Sequence, residues 1–174
     1  EEEVAALKAS KQGWACVGHK LDYAHRAWIQ PGHWLTSDMQ KANEDAAALY
    51  ESWKKDVQVE EYRLEDAEVV LTAYGISARI CKSAVELLRA QGVKAGLIRP
   101  ITVHPFPYAA YDHIDYSKVK AVLDVEMSIP AQFVDDVAVA VKDRCLIETC
   151  LCSGGNIMSR DKVLAAVKKI MEGK

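Results

Sequence analysis

The sequence predicts an α/β domain, because about thirty residues carry the signature of a strand, a helix and a second strand. Residues 67–75 form an apolar, β-branched run that ends at a glycine. The segment that follows repeats apolar residues at helical spacing, namely Ile80, Ala84, Leu87 and Leu88. Gly92 stands where a helix commonly ends, and the apolar run of residues 93–99 follows directly. Two strands joined by one helical crossover must be parallel, and this fixes the fold class.

Length and composition agree with one compact core. The chain has 174 residues, of which 50% are hydrophobic, and a net charge of −3. This charge argues against nucleic acid as a partner, since such binders carry a basic surface. The longest run without Asp, Glu, Lys or Arg, residues 100–111, contains three prolines. It is too short for a bilayer, which requires about 20 apolar residues, so no membrane segment is expected.

The ends and the cysteines suggest a cytoplasmic fragment. The chain opens with three glutamates instead of a signal peptide and lacks an initiator methionine, so we expect a piece of a longer protein. Five cysteines, an odd number, do not indicate a disulfide framework. Cys145, Cys150 and Cys152 cluster without the paired spacing of zinc or iron–sulfur sites. We therefore expect reduced structural thiols and a cytoplasmic location.

Residues 1–56 are predicted to form an inter-domain connector with one amphipathic helix, at about residues 37–55. Residues 1–35 show no sustained periodicity but hold Trp14, Trp28 and Trp34, which suit contact with a missing domain or subunit. Ser37 and Gln40 match a capping box at the start of the helix. One stripe of that helix is apolar, comprising Met39, Ala42, Ala46, Leu49, Tyr50 and Trp53. Ordinary packing explains this stripe better than a coiled coil, because it is barely two heptads long.

Residues 57–174 are predicted to form the α/β domain. Residues 57–64 alternate between apolar and charged residues, as an edge strand does, and Glu65-Asp66 would turn it into an antiparallel hairpin with the next strand. Further strands are expected at residues 119–125 and 145–149. A helix at residues 132–141 would turn Val134, Val137, Ala138 and Val141 inward. Ser159 would cap a last helix, whose buried face comprises Val163, Leu164, Val167, Ile170 and Met171.

This order predicts three layers, α/β/α, around a five-stranded mixed sheet. Four strands alternate with helices and should therefore be parallel, while the strand near Val57 should run antiparallel at one edge.

Three short patterns could carry chemistry, and none is complete. The loop Ser153-Gly-Gly-Asn156 could cradle a phosphate, but a simple turn between strand and helix explains it better. Asp124 and Glu126 share one face of a strand end, where a solvated or ion-paired pair is favoured over acid–base chemistry. Ser77 reads as the N-cap of the helix that follows, and its surroundings do not match a hydrolase nucleophile elbow. No catalytic, cofactor-binding or metal-binding residue is therefore predicted.

Taken together, several motifs resemble the transketolase C-terminal-like domain. They are Tyr74-Gly-Ile-Ser-Ala-Arg79, Arg99-Pro-Ile-Thr-Val-His-Pro-Phe-Pro107, Val125-Glu-Met-Ser128 with Gln132, and Gly154-Gly155. Residues 57–174 resemble in particular the α subunit of 2-oxoacid:ferredoxin oxidoreductases, and residues 36–56 resemble its inter-domain helix. One departure is Ile129-Pro130, where the family pattern has a glycine before the glutamine. Proline favours the first helical turn, so we expect an altered helix start there.

The resemblance implies a fragment of an enzyme without its catalyst. The family oxidatively decarboxylates a 2-oxoacid (2-oxoisovalerate, 2-oxoglutarate or pyruvate) to an acyl-CoA and reduces ferredoxin. The resemblance favours 2-oxoisovalerate or 2-oxoglutarate as the substrate here. Thiamine diphosphate with Mg would lie between the preceding α domain and the β subunit, and the iron–sulfur clusters elsewhere. The resemblance thus implies a non-catalytic assembly domain, without cofactors of its own, that contacts a thiamine-binding β subunit and a ferredoxin-like subunit.

The candidate interface combines the connector tryptophans with loops that follow the parallel strands. Its predicted residues are Tyr74, Gly75, Arg79, Arg99, Glu126, Trp14, Trp28 and Trp34. The two arginines would suit carboxylates across an interface, with Glu126 as a possible partner, or would pair within the domain. Two other functions stay open: a stand-alone α/β interaction or anion-binding module, and the equivalent domain of a transketolase or dehydrogenase E1β subunit.

Overall fold

A computed structural model describes residues 1–10, 32 and 34–173. The chain divides into two compact units, residues 1–48 and 49–174. Trp14 and Trp28 lie outside the described residues. In the part of the chain that the structure describes, no helix is long and apolar enough to cross a membrane.

Two helices precede the sheet. Helix α1 (Glu2–Ser10) lies where an extended connector was expected, and its described side chains are exposed. Helix α2 (Thr36–Trp53) begins one residue earlier than predicted. The predicted capping box does not form, because the Leu35 carbonyl accepts from the Met39 N–H at 3.1 Å and Ser37 lies inside the first turn. None of the residues of α2, all of them described, is fully buried.

The sheet has the predicted five strands and is mixed. The strands are β1 (Val59–Tyr62), β2 (Val69–Thr72), β3 (Ala95–Pro100), β4 (Ala121–Glu126) and β5 (Leu146–Leu151). Their order is β1-β3-β2-β4-β5, with β2 to β5 parallel and β1 antiparallel to β3. This arrangement confirms the predicted antiparallel edge strand.

The predicted hairpin between the first two strands is wrong. Strand β1 pairs with β3, from Val59 opposite Pro100 to Tyr62 opposite Leu97. Strand β2 is fully buried and already has β3 and β4 as neighbours, so β1 with its exposed Glu61 can join only at the edge. The chain turns away at Arg63, whose φ is +53°, instead of folding back on β1.

Three helices and a 3₁₀ helix cover the sheet. Helices α3 (Gly75–Ala90) and α5 (Arg160–Glu172) pack on one face around Leu71, Leu97 and Leu123. Helix α4 (Phe133–Val141) and the 3₁₀ helix Tyr108–His113 pack on the other face. A second 3₁₀ helix, Lys54–Asp56, follows α2. The three-layer α/β/α architecture is thus confirmed.

The helix starts differ from the predictions in two places. Tyr74, not Ser77, occupies the N-cap of α3, and Ser77 is buried in the first turn. Pro130 precedes α4 instead of entering its first turn, because the helix begins after Gln132. By contrast, the Ser159 side chain caps α5 as predicted, accepting from the Lys162 N–H at 3.2 Å.

The buried face of α4 also differs from the prediction. It comprises Phe133, Val137, Ala140 and Val141, whereas Ala138 is exposed and Val134 is only half-buried. Val137 and Val141 are buried as predicted, but the rest of the buried face is turned towards Phe133 and Ala140, because the helix starts with the buried Phe133. The predicted face of α5 is confirmed, with Val163 and Val167 fully buried.

The close approach of β3 to the chain after β1 yields a testable prediction. A Cβ at Gly96 would lie 2.8 Å from the Arg63 carbonyl oxygen and 2.9 Å from Leu64 Cδ2. We expect Gly96→Ala to lower the free energy of unfolding by about 1–3 kcal/mol through overpacking. Urea unfolding measures the change, with Ser83→Ala on the exposed side of α3 as control. An unchanged midpoint for Gly96→Ala would contradict the packing described.

Candidate interaction surface

Exposed apolar side chains concentrate at one edge of the sheet. Strands β2 to β5 are parallel, so their carboxyl ends meet at the same edge. Of the ten large hydrophobic residues exposed within residues 57–173, all of which are described, eight follow these ends. We call these eight the apolar rim: Tyr74, Ile76, Ile101, Val103, Tyr108, Met127, Ile129 and Ile157. The other two are Val139 on α4 and Leu146 on β5.

The opposite edge of the sheet is charged. Exposed lysines, Lys94 and Lys120, directly precede β3 and β4, and Asp143 and Arg144 come before β5. The contrast between the two edges shows that the apolar rim is not a general property of this surface. Exposed apolar side chains that are grouped in this way typically mark an interaction site.

Buried aromatic rings hold the loops of the rim together. Phe133, at the start of α4, packs against Tyr74 at 5.1 Å and Phe106 at 5.5 Å between ring centroids. Phe106 in turn packs against Tyr108 at 4.9 Å and Tyr111 at 5.5 Å. The fourth loop joins through the Cys152 N–H, which donates to the Glu126 carbonyl at 3.2 Å. Three loops of the rim are therefore packed together through aromatic rings, and the fourth is hydrogen-bonded to the end of β4.

The end of α2 contacts one of these loops. Tyr50 and Trp53 pack edge-on against the His104 ring, at 5.9 and 6.1 Å between centroids. A cavity of about 240 Å³ opens beside them and is lined in part by Phe106 and Asp136. These contacts tie the last turn of α2 to the loop after β3.

The predicted interface residues fall into different environments. Tyr74 and Gly75 lie on the rim, and Arg79 is exposed on α3 without an ion pair to any described residue. Arg99 is half-buried and pairs within the domain, with its Nη1 3.0 Å from Glu60 Oε2. Trp34 is 95% exposed in the first unit. The alternative of pairing within the domain therefore holds for Arg99 and not for Arg79.

Glu126 is neither solvated nor ion-paired, so the favoured prediction for it was wrong. It is 1% exposed and accepts hydrogen bonds from the Gln132 N–H at 2.8 Å, the Phe133 N–H at 3.2 Å and the Ser128 hydroxyl. Burial alone would raise the pKa of its carboxyl, but hydrogen bonds from Ser128, Asp124 and the two amides lower it. Glu126 thus satisfies the first amides of α4, and no described arginine reaches it.

Asp124 is fully buried beside it on the same face of β4. No N–H or O–H of the described residues donates to either of its carboxyl oxygens. Burial raises the pKa of Asp124 to about 8, helped by a hydrogen bond to Glu126 and by the negative charge of Glu126. Its neighbour on β2 is the equally buried Thr72, whose hydroxyl lies 2.5 Å from the Tyr111 hydroxyl.

The described residues offer no cluster of metal-binding side chains. They contain no group of three His, Cys, Asp or Glu side chains placed to hold a metal ion. The four described cysteines are unpaired thiols, and burial raises the pKa of Cys81, Cys145 and Cys150, which disfavours their thiolates.

The Gly154-Gly155 loop is a turn that bonds to itself. Both the N–H and the side-chain amide of Asn156 donate to the Ser153 carbonyl, at 3.2 and 2.9 Å. The two glycines adopt φ values of +67° and +84°, which the turn requires. This geometry matches the simple turn that the sequence favoured over a phosphate cradle.

The sequence is similar to those of known proteins. Residues 67–163 match the family described as pyruvate:ferredoxin oxidoreductase core domain II. The chain is 40% identical over 117 residues to ketoisovalerate oxidoreductase subunit VorB of Methanothermobacter marburgensis. That alignment covers 67% of this chain and 32% of the relative, so the chain spans about a third of the length of that protein.

Solved structures support the same fold. A 2-oxoglutarate:ferredoxin oxidoreductase from Magnetococcus marinus superposes with a TM-score of 0.60 at 20% identity, covering 80% of this chain and 24% of that one. A split-gene transketolase superposes with a TM-score of 0.53 at 18% identity, covering 65% of this chain and 41% of that one. The chain therefore belongs to the pyruvate:ferredoxin oxidoreductase core domain II family and has a transketolase C-terminal-like fold.

Proposed function

We propose that this chain is the non-catalytic assembly domain of a 2-oxoacid:ferredoxin oxidoreductase α subunit, and that the apolar rim contacts another domain or subunit of the enzyme. The observation that carries the proposal is the concentration of exposed hydrophobic residues at the carboxyl edge of the sheet. We take residues 1–56 as the connector to the rest of the subunit and residues 57–174 as the assembly domain. The enzyme would act in the cytoplasm.

The reaction and its cofactors belong, in this proposal, to the whole complex. Its substrate would be 2-oxoisovalerate, as the name of the Methanothermobacter marburgensis relative suggests, with 2-oxoglutarate as the second candidate. Thiamine diphosphate, Mg and iron–sulfur clusters would be held outside this domain, by a thiamine-binding β subunit and a ferredoxin-like subunit. Coenzyme A and ferredoxin would likewise act on the complex.

Burial of the rim offers enough free energy to stabilise an interface. Its eight side chains are between 37% and 67% exposed, and covering each would contribute on the order of 1 kcal/mol. The loops are already ordered by the aromatic rings of Phe106 and Phe133. Docking would therefore lose little conformational entropy, which favours affinity.

Arg79 would add specificity to this apolar contact. It lies one helical turn beyond Tyr74 and Gly75, is exposed, and has no ionic partner among the described residues. Its planar guanidinium suits a carboxylate of the partner better than a lysine would. Arg99 would contribute only indirectly, because Glu60 already pairs with it.

The rim can be tested by placing a charge in it. In the assembled enzyme, we expect Ile129→Asp to weaken the association of the α subunit by about tenfold or more, because a carboxylate would be buried without a partner. Val139→Asp is the matched control, since both side chains are 62% exposed and Val139 lies on α4, outside the rim. Co-purification and analytical ultracentrifugation measure the association. Equal assembly of the two variants would refute the interface.

The location of the cofactor gives a separate prediction. We expect the isolated chain to show no heat of binding when thiamine diphosphate and Mg²⁺ are titrated to millimolar concentration. The reason is that the described residues offer no cluster of carboxylates to hold the metal that anchors the diphosphate. Isothermal titration calorimetry on the isolated chain, with the reconstituted complex as positive control, measures this. Micromolar binding by the isolated chain would contradict the assembly role.

A further inference from the structure

Strand β4 ends in two buried carboxyl groups that lack a counter-ion. Asp124 is 0% and Glu126 is 1% exposed, and both point to the α4 face of the sheet. No described lysine, arginine or histidine forms an ion pair with either of them. Two adjacent negative charges in a buried site repel each other strongly, so one of the groups must bind a proton.

The hydrogen bonds decide which group is protonated. Glu126 accepts from Ser128, Gln132 and Phe133, and hydrogen bonds from these three donors favour an ionised carboxylate. Asp124 accepts from none of the described groups, so protonation disrupts none of its bonds. A protonated Asp124 becomes a donor, and the Glu126 carboxylate, which lies two residues along on the same buried face of β4, is the acceptor available to it.

Protonation of this pair also affects the conformation of the loop that follows β4. Residues 127–132, the β4–α4 loop, begin immediately after Glu126 and return to it, because Gln132 and Phe133 donate their amides to its carboxylate. Met127 and Ile129, two members of the apolar rim, lie within this closed segment. Anything that weakens the Glu126 bonds would therefore release these two side chains.

We infer that Asp124 and Glu126 share one buried proton, and that this proton holds the β4–α4 loop in the conformation that presents Met127 and Ile129 on the rim. Asp124 is thus a positioning residue that acts through Glu126. The shared proton follows from the carboxyl pair alone. Its consequence for docking rests on the proposed function of the rim.

Other titratable groups near the pair do not supply this proton. Tyr111 of the 3₁₀ helix, Cys81 of α3 and Cys150 of β5 all feel the charge of Asp124, and burial raises the pKa of each. They stay neutral where the carboxyl pair titrates. On α4, Asp136 accepts from the Tyr108 hydroxyl at 3.1 Å and so has its own partner. Of these buried groups, Asp124 is the one whose raised pKa lies near neutrality.

The variant Asp124→Asn tests the shared proton in the full chain. Its amide can still donate to Glu126 but cannot ionise, so the variant lacks the proton linkage. Because the pKa of Asp124 is raised by folding, the stability it contributes is complete below about pH 4 and declines towards pH 8. The unfolding constant of the wild type, relative to that of the variant, should rise by nearly tenfold per pH unit between about pH 5 and 7.

Urea unfolding at several pH values measures this ratio, and groups common to both proteins cancel in it. A ratio independent of pH would overturn the inference. Carboxyl ¹³C NMR of the wild type gives an answer even if the variant does not fold. A titration midpoint for Asp124 well above pH 6 supports the shared proton, and one near pH 4 refutes it.

Amide hydrogen exchange tests the effect on the loop. From pH 6 to pH 9, protection of the Gln132 and Phe133 amides should fall by about tenfold or more in the wild type relative to Asp124→Asn. The Lys162 amide is the control, because the Ser159 hydroxyl caps it instead of a carboxylate. Equal protection in the two proteins would refute the loop's dependence on the proton. The unfolding and exchange results could both be as expected while Ile129→Asp assembles normally. That outcome would support the shared proton and refute the docking role of the rim.

Discussion

The parallel pairing of β2, β3, β4 and β5 is the constraint on which the rest of this structure depends. Parallel strands require crossovers, and the crossovers place α3 and α5 on one face and α4 on the other. The same pairing brings four carboxyl ends to a single edge, where the loops that follow neighbouring strands lie side by side. Apolar residues placed after each of these strands therefore gather along one edge, which explains how short and separate segments make the rim.

The rim is supported by a polar anchor inside an apolar layer. Glu126 lies beneath the loops and satisfies the first amides of α4, a role that a short N-cap side chain usually performs from the helix itself. Because the Glu126 carboxylate belongs to the sheet, its hydrogen bonds fix the position of α4 relative to β4 as well as satisfying the first turn of the helix. The arrangement places a second carboxyl, Asp124, in the same buried layer, and the resulting electrostatics are strong because water does not screen them.

Much of the fold could be predicted from local patterns. Three predicted features depend only on residues within one element and could therefore be read from the sequence. They are the apolar stripe of the helix between β2 and β3, the edge character of β1 and the Ser159 cap. The partner of β1 was mispredicted because pairing is non-local: β2 had both of its sides occupied by β3 and β4. Asp124 and Glu126 were correctly assigned to one face, but strand alternation does not show that α4 covers that face. The apolar residues that follow each parallel strand would have predicted the rim, but of these only Tyr74 was among the predicted interface residues.

The chain matches only a third of its Methanothermobacter marburgensis relative. Its described residues hold no cluster placed to bind a metal ion, and the buried carboxylate of Glu126 accepts from the first amides of α4. An α/β sheet usually presents functional loops at its carboxyl edge, and here that edge presents hydrophobic side chains. In the proposed function, the position that holds chemistry in related architectures serves for contact instead. The aromatic cluster and Glu126 hold the loops of this edge in place, which suits a surface that supports assembly while the reaction takes place elsewhere.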